Sequence, residues 1–193
     1  QRHHSATHLL NWALRETLGE NIKQAGSLVA NDRLRFDFSH YESIDSDTIS
    51  NIEYTINKAI LNNSPVGSFE MAFKDIPDDV VAIFGEKYGT LVRIVDIGGF
   101  SKELCGGTHV RSIGEIGLFK ITSESGIASG TRRIEAVCGE SALKLADTRF
   151  NQIISLSQKF KCPVESIEDR IYTLINTKKG LEKTLKNHLQ KAL

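Results

Sequence analysis

Cysteine is scarce in this chain: three residues, Cys105, Cys138 and Cys162, stand at irregular spacing. An odd, uneven set supports no disulfide framework and points to a reducing compartment, with the cytoplasm as the expected location. No apolar run approaches the roughly 18–20 residues that a membrane span needs, so no membrane partner is expected. The start, Gln1-Arg2-His3-His4, has neither an initiator Met nor an apolar signal core. A secretory route is therefore not indicated, and a piece of a longer polypeptide is the expectation. An excess of one charge is missing too, since 24 basic residues balance 24 acidic ones, and global charge gives no signature of nucleic-acid binding. There is no internal repeat and no low-complexity stretch. What remains is 193 residues, 40% hydrophobic and 25% charged, enough for one globular domain plus an appendage.

Hydrophobic periodicity orders the chain. Ala6, Leu9, Leu10, Ala13, Leu14 and Leu18 recur at helical spacing and predict a helix over 3–18, stopped at Gly19. Residues 27–29 and 33–38 read as a strand hairpin joined at Asn31-Asp32. Ile49, Ile52, Ile56, Ile60 and Leu61 mark a second helix, ended by Asn62-Asn63-Ser64-Pro65. A strand is expected at 66–73, a short helix from Asp78 to Phe84 capped by Gly85, and a β-branched strand at 91–97. Two more strands are expected at 116–122 and 131–138, with Gly126 and Gly130 in the turn between them. This alternation predicts an α+β domain, helices packed on a mainly antiparallel sheet.

After Gly139 glycine disappears except for Gly180, and Ile167, Ile171, Leu174, Leu181, Leu185 and Leu189 line one apolar face. A helical, hairpin-like segment over 141–193 is expected, following a domain over 1–140. From Ser141 onward ten basic residues stand against five acidic ones, so the two parts have different neighbours. The lysines from 178 onward either track nucleic-acid phosphates or form a solvated helix face.

His4-Ser-Ala-Thr-His8 places two imidazoles at i and i+4, on one helix face and close enough to grip one ion. Cys105-Gly-Gly-Thr-His109 adds a thiolate and a third imidazole on a tight loop after the 91–97 strand. Three nitrogens and one sulfur suit tetrahedral Zn2+. No Glu stands between His4 and His8, so the metalloprotease pattern His-Glu-x-x-His is absent. Four protein ligands also fit a structural zinc, because catalytic zinc usually keeps a position open. His3 and His40 are spare imidazoles outside the ligand set, with His40 a possible neighbour of the site.

Taken in order, His4-Ser-Ala-Thr-His8-Leu-Leu, Gln24-Ala-Gly-Ser27-Leu-Val, Leu34-Arg-Phe-Asp-Phe-Ser-His40, Phe84-Gly-Glu-Lys-Tyr88, Cys105-Gly-Gly-Thr-His109-Val and Gly130-Thr-Arg132-Arg133-Ile-Glu-Ala resemble the editing domain of alanyl-tRNA synthetases. Position 5 is Ser where Thr is common in that family, a difference of one methyl. The threonyl type shares the two-plus-two ligand layout, but the cysteine and double-arginine motifs look alanyl. The resemblance implies an α+β editing domain that uses Zn2+ and hydrolyses seryl- or glycyl-tRNA(Ala). It implies the tRNA(Ala) acceptor end and the remainder of a synthetase as partners. The helical tail looks like the segment leading to that enzyme's C-terminal domain. No aminoacylation domain is present, so neither ATP binding nor tRNA charging is expected.

An aminoacyl ester is already activated, so such a site needs to position water and stabilise an oxyanion. Zinc can activate water, polarise the carbonyl, or anchor the substrate amino group and terminal ribose; with four protein ligands, anchoring is favoured. Serine exceeds alanine by one hydroxyl, which an activation pocket rejects poorly and a second sieve can demand. Thr7, beside His8, is the expected hydroxyl reader, and the Gln24 amide the group that orients substrate or water. Ser27 joins them as a substrate contact. Of Arg132 and Arg133, adjacent on a strand, one at most faces the site or a phosphate; Arg132 is the candidate, the other pairing with Glu135 or Glu140. The rival readings are a non-catalytic zinc-containing tRNA-binding module and a zinc hydrolase of some other ester or amide.

Overall fold

A computed structural model of the chain describes residues 1–82 and 88–191. Two compact units divide it, Gln1–Lys144 and Leu145–Leu193. In the first, helix α1 (Arg2–Leu18) ends where Gly19, at φ +103°, turns its N–H onto Arg15 O. Strands β1 (Gln24–Val29) and β2 (Leu34–Ser39) form the expected hairpin. Helix α2 (Ser46–Asn62) is capped by Asp45, which accepts from the Thr48 N–H, and it stops at Asn63 in the left-handed region. Next come β3 (Val66–Ala72), β4 (Leu91–Ile97), β5 (Ser101–Leu104), β6 (Phe119–Ala128) and β7 (Thr131–Cys138).

Every pairing between these strands is antiparallel, in sheets of order β1-β2-β7-β6 and β3-β4-β5. The fold is thus α+β. Leu9, Leu10 and Leu14 of α1 and Ile52 and Ile56 of α2 join Phe36, Phe38, Phe119 and Ile134 of the larger sheet in one core. Each such fully buried side chain contributes roughly 1.5–3 kcal/mol. Strand β4 serves two cores because its side chains alternate. Val95 and Ile97 enter the main core, while Val92 and Ile94 meet Leu104 on the opposite face.

Some elements differ from expectation. Asp78-Asp79 form a turn rather than the start of a helix, because Val81 is drawn into a parallel bridge with Glu103. Val80 and Ala82 are not helical either, while the last two residues of that expected helix, its Gly85 cap and most of the Phe84–Tyr88 motif lie outside the described residues. Strand β5 was not expected. Strand β6 begins at Phe119 and runs through Gly126, so the reversal is left to Ser129-Gly130, with Gly130 at φ +69°.

Helix α3 (Glu140–Phe160) leads into the second unit, and α4 (Ile167–Lys191) completes it. The apolar face of α4 is largely open to solvent, with Leu181, Leu185 and Leu189 each at least 60% exposed. Among the described residues no helix is long and apolar enough to cross a membrane.

Candidate metal centre

His4 and His8 stand one turn apart on α1, and the loop after β5 carries Cys105 and His109 against them. One donor atom from each of the four lies within 4.8 Å of all the others. Cys105 Sγ is 3.3 Å from His4 Nε2 and 3.4 Å from His109 Nε2. Ligands at about 2.0–2.3 Å on a tetrahedral zinc stand about 3.3–3.6 Å from one another, so these spacings already match two edges of the tetrahedron.

The outward ring nitrogens of His109 and His8 have partners. Ser5 Oγ lies 3.1 Å from His109 Nδ1 and also accepts from the Val110 N–H at 3.2 Å. A hydroxyl has two lone pairs, so it can accept from an Nδ1–H and leave His109 Nε2 as the donor to a metal. His8 Nδ1 stands 2.7 Å from Glu103 Oε2, off the hydrogen-bond axis, so the approach is an ion-pair contact rather than an aligned bond. Asn11 Nδ2 fixes the other oxygen, Glu103 Oε1, at 2.9 Å. A carboxylate behind a ligating imidazole is the usual outer layer of a zinc site.

In the metal-free cluster a Cys105 thiolate faces a protonated His8, whose proton a bound ion would displace. Burial alone would push the Cys105 thiol up, but hydrogen bonds from His109, His4, His8 and the Gly107 N–H outweigh it and bring it to about 3. Burial would likewise lower His8, yet the facing Glu103 carboxylate and the Cys105 sulfur raise it to about 10. Burial lowers His109, which favours the neutral, ligating form. The thiolate and Glu103 together offer two negative charges, matching a dication. Nitrogen and sulfur donors in a tetrahedral set suit zinc better than the oxygen-seeking Mg2+ or Ca2+.

The loop must pass very close to α1. A Cβ on Gly107 would overlap the His4 ring, so glycine is required there for space. Arg93 of β4 donates through Nη1 to Cys105 O at 3.1 Å and Gly107 O at 2.6 Å.

Other expected site residues fall at varied places. Thr7 is buried on α1, and its hydroxyl donates to His3 O at 2.8 Å. Gln24 opens β1 and lines a cavity of about 670 Å³ together with Asn11 and Glu103; its Nε2 donates to the exposed Ser27 Oγ at 3.3 Å. Arg132 grips Glu124 of β6 with Nε and Nη2, and Arg133 grips Asp37 of β2 at 2.7 and 2.8 Å. Both arginines are therefore ion-paired across the sheet, and not with Glu135 or Glu140. His3 Nε2 accepts from the Cys138 N–H, and His40 lies beside the Phe38 ring; neither joins the cluster. Glu103, Asn11, Ser5 and Arg93 are the site residues that sequence reasoning missed. A charged residue two positions before Cys105 was the one signal available.

Residues 92–135, spanning most of β4, all of β5 and the Cys105–His109 loop, match the family described as the threonyl and alanyl tRNA synthetase second additional domain. Nearly the whole chain is also similar to alanine--tRNA ligases. Identity is 46% over 191 residues with that of Opitutus terrae, covering 99% of this chain and 20% of the relative. It is 49% over 187 residues with that of Petrotoga mobilis, covering 96% and 21%. With that of Desulfitobacterium hafniense it is 50% over 175 residues, covering 90% and 20%. The chain spans about a fifth of the length of these relatives. It belongs, as a segment, to the alanyl-tRNA synthetase family.

Proposed function

We propose that the chain is a zinc-dependent hydrolytic editing module, removing serine or glycine wrongly esterified to tRNA(Ala). In this reading residues 1–140 are the editing domain and 141–193 a helical linker within a larger synthetase. The observation that carries it is the convergence of His4, His8, Cys105 and His109, from a helix at one end of the sequence and a loop about a hundred positions later, in a chain similar to alanine--tRNA ligases. When bound to these four, zinc supplies a Lewis-acid anchor for the substrate amino group and terminal ribose.

The chain's own groups do the discriminating. Thr7 has committed its proton to His3 O, so its hydroxyl can only accept a further bond. A seryl hydroxyl can donate that bond and an alanyl methyl cannot, which makes the pocket a sieve that demands the extra group. Glycine has no hydroxyl, so its removal rests on the family resemblance alone. Gln24, with Ser27 holding its Nε2, keeps its carbonyl oxygen for orienting substrate or water. Glu103 is committed to Asn11 and His8 and is not a free general base; an activated ester needs orientation more than a strong base. Arg132 reaches a tRNA phosphate by exchanging Glu124 for it.

The test is deacylation of seryl-tRNA(Ala) against alanyl-tRNA(Ala), with and without chelator. Release of serine, sparing of alanine, and loss of both zinc and activity in Cys105→Ala are expected. Zinc binding without turnover would leave a non-catalytic tRNA-binding module, and equal release of both amino acids would refute the sieve.

A further inference from the structure

On β4, residues 93, 95 and 97 share one face. Val95 and Ile97 enter the main core, yet the third place holds a guanidinium, half-buried among main-chain oxygens. Its Nη1 donates to Cys105 O at 3.1 Å and Gly107 O at 2.6 Å, and its Nη2 to Ser68 Oγ of β3 at 3.1 Å. The main-chain carbonyl of the same residue accepts the Cys105 N–H at 3.0 Å. Both polar groups of the Cys105 backbone are thus held by one residue.

The loop needs such a hold. Gly106 and Gly107 have no side chains to pack, and glycine loses more conformational freedom on ordering than any other residue. A metal ligand tolerates only tenths of an ångström of misplacement. The grip also extends to the helix side of the cluster, because Gly107 abuts the His4 ring.

We infer that Arg93 is the positioning residue of the metal centre: its guanidinium fork fixes the Cys105–Gly107 backbone so that the thiolate and His4 meet one ion. The inference rests on the reading of the cluster as a metal site. A rigid planar fork can serve two carbonyls and a hydroxyl at once, whereas the ammonium of Lys is a compact point donor that cannot reproduce that geometry.

The test measures Zn2+ affinity of the whole chain by chelator competition. It also records the thiolate-to-cobalt charge-transfer band after Co2+ loading, which reports on Cys105 directly. Arg93→Met is expected to lose about 10- to 100-fold in Zn2+ affinity, the range for outer-layer partners, and to weaken or shift the cobalt band. Arg93→Lys falls between it and the parent. Ser68→Ala, which keeps both carbonyl bonds, stays near the parent value. Parent affinity and an unchanged band in Arg93→Met overturn the inference, as does a loss confined to metal-free stability. If Arg93→Met does not fold, Arg93→Lys decides by the same two readouts. A parent chain that binds no Zn2+ overturns the metal reading itself, an outcome separate from an indifferent Arg93 variant.

Discussion

Gly107→Ala isolates the metal site from the fold with a single methyl. Gly107 has no left-handed backbone that alanine would strain, so space is the whole obstacle. The new Cβ would overlap Cε1 and Nδ1 of His4 and stand 3.1 Å from Nε2. Those atoms are the end of a side chain, so the ring swings aside and the backbone stays. The metal-free chain then loses no more than the usual overpacking cost, about 1–3 kcal/mol. Zinc at 100 times its Kd stabilises the parent by about 2.7 kcal/mol, a rise in Tm of about 5–11 °C for a chain of this size. Displacing one of four ligands should cost at least the 100-fold at the top of the outer-layer range. The same zinc then stabilises by about 0.4 kcal/mol, a rise of about 1–2 °C. Thermal melts of both proteins, with and without zinc, make the comparison. A parent-sized zinc-dependent rise in Gly107→Ala would show that His4 is not a ligand.

Two further outcomes follow from the charges around the site and the sheet. Glu103→Gln removes the carboxylate facing His8 and should weaken Zn2+ by about 10- to 100-fold in a chelator competition; unchanged affinity would remove Glu103 from the metal centre. Asp37 is held below the usual carboxylate range by its hydrogen bonds from Arg133, with burial opposing. A depressed carboxyl contributes stability above its unfolded pKa, about 3.9, and loses it as pH falls through the folded value. Asp37→Asn should therefore melt below the parent at pH 7, with the gap closing under about pH 4. A gap independent of pH would assign the effect to packing rather than to the ion pair.

The parts of the site that were legible in sequence are those whose geometry is local. His4 and His8 meet because an α-helix puts i and i+4 on one face, and the hydrophobic period of Ala6, Leu9, Leu10 and Ala13 had already fixed that helix. Cys105 and His109 were legible because two glycines forbid a helix between them and leave a tight loop. Strand β5 escaped because its four residues do not alternate and include the buried Glu103. Its reasons for being a strand lie in its pairing with β4 across the short turn at Gly98-Gly99-Phe100 and in the bridge from Val81, which no local pattern announces. Asp78-Asp79 looked like a helix start for the same reason, since the bridge at Val81 is invisible locally. Glu103, Asn11 and Arg93 read as ordinary polar residues among apolar ones. Each is buried or half-buried because a partner elsewhere compensates its desolvation: His8 and Asn11 for Glu103, the Cys105 and Gly107 carbonyls for Arg93. A sequence pattern records which atoms can donate to a metal, because donor chemistry belongs to single residues. What holds those donors in place belongs to pairs brought together by folding, and a site's affinity and selectivity are set largely by those pairs.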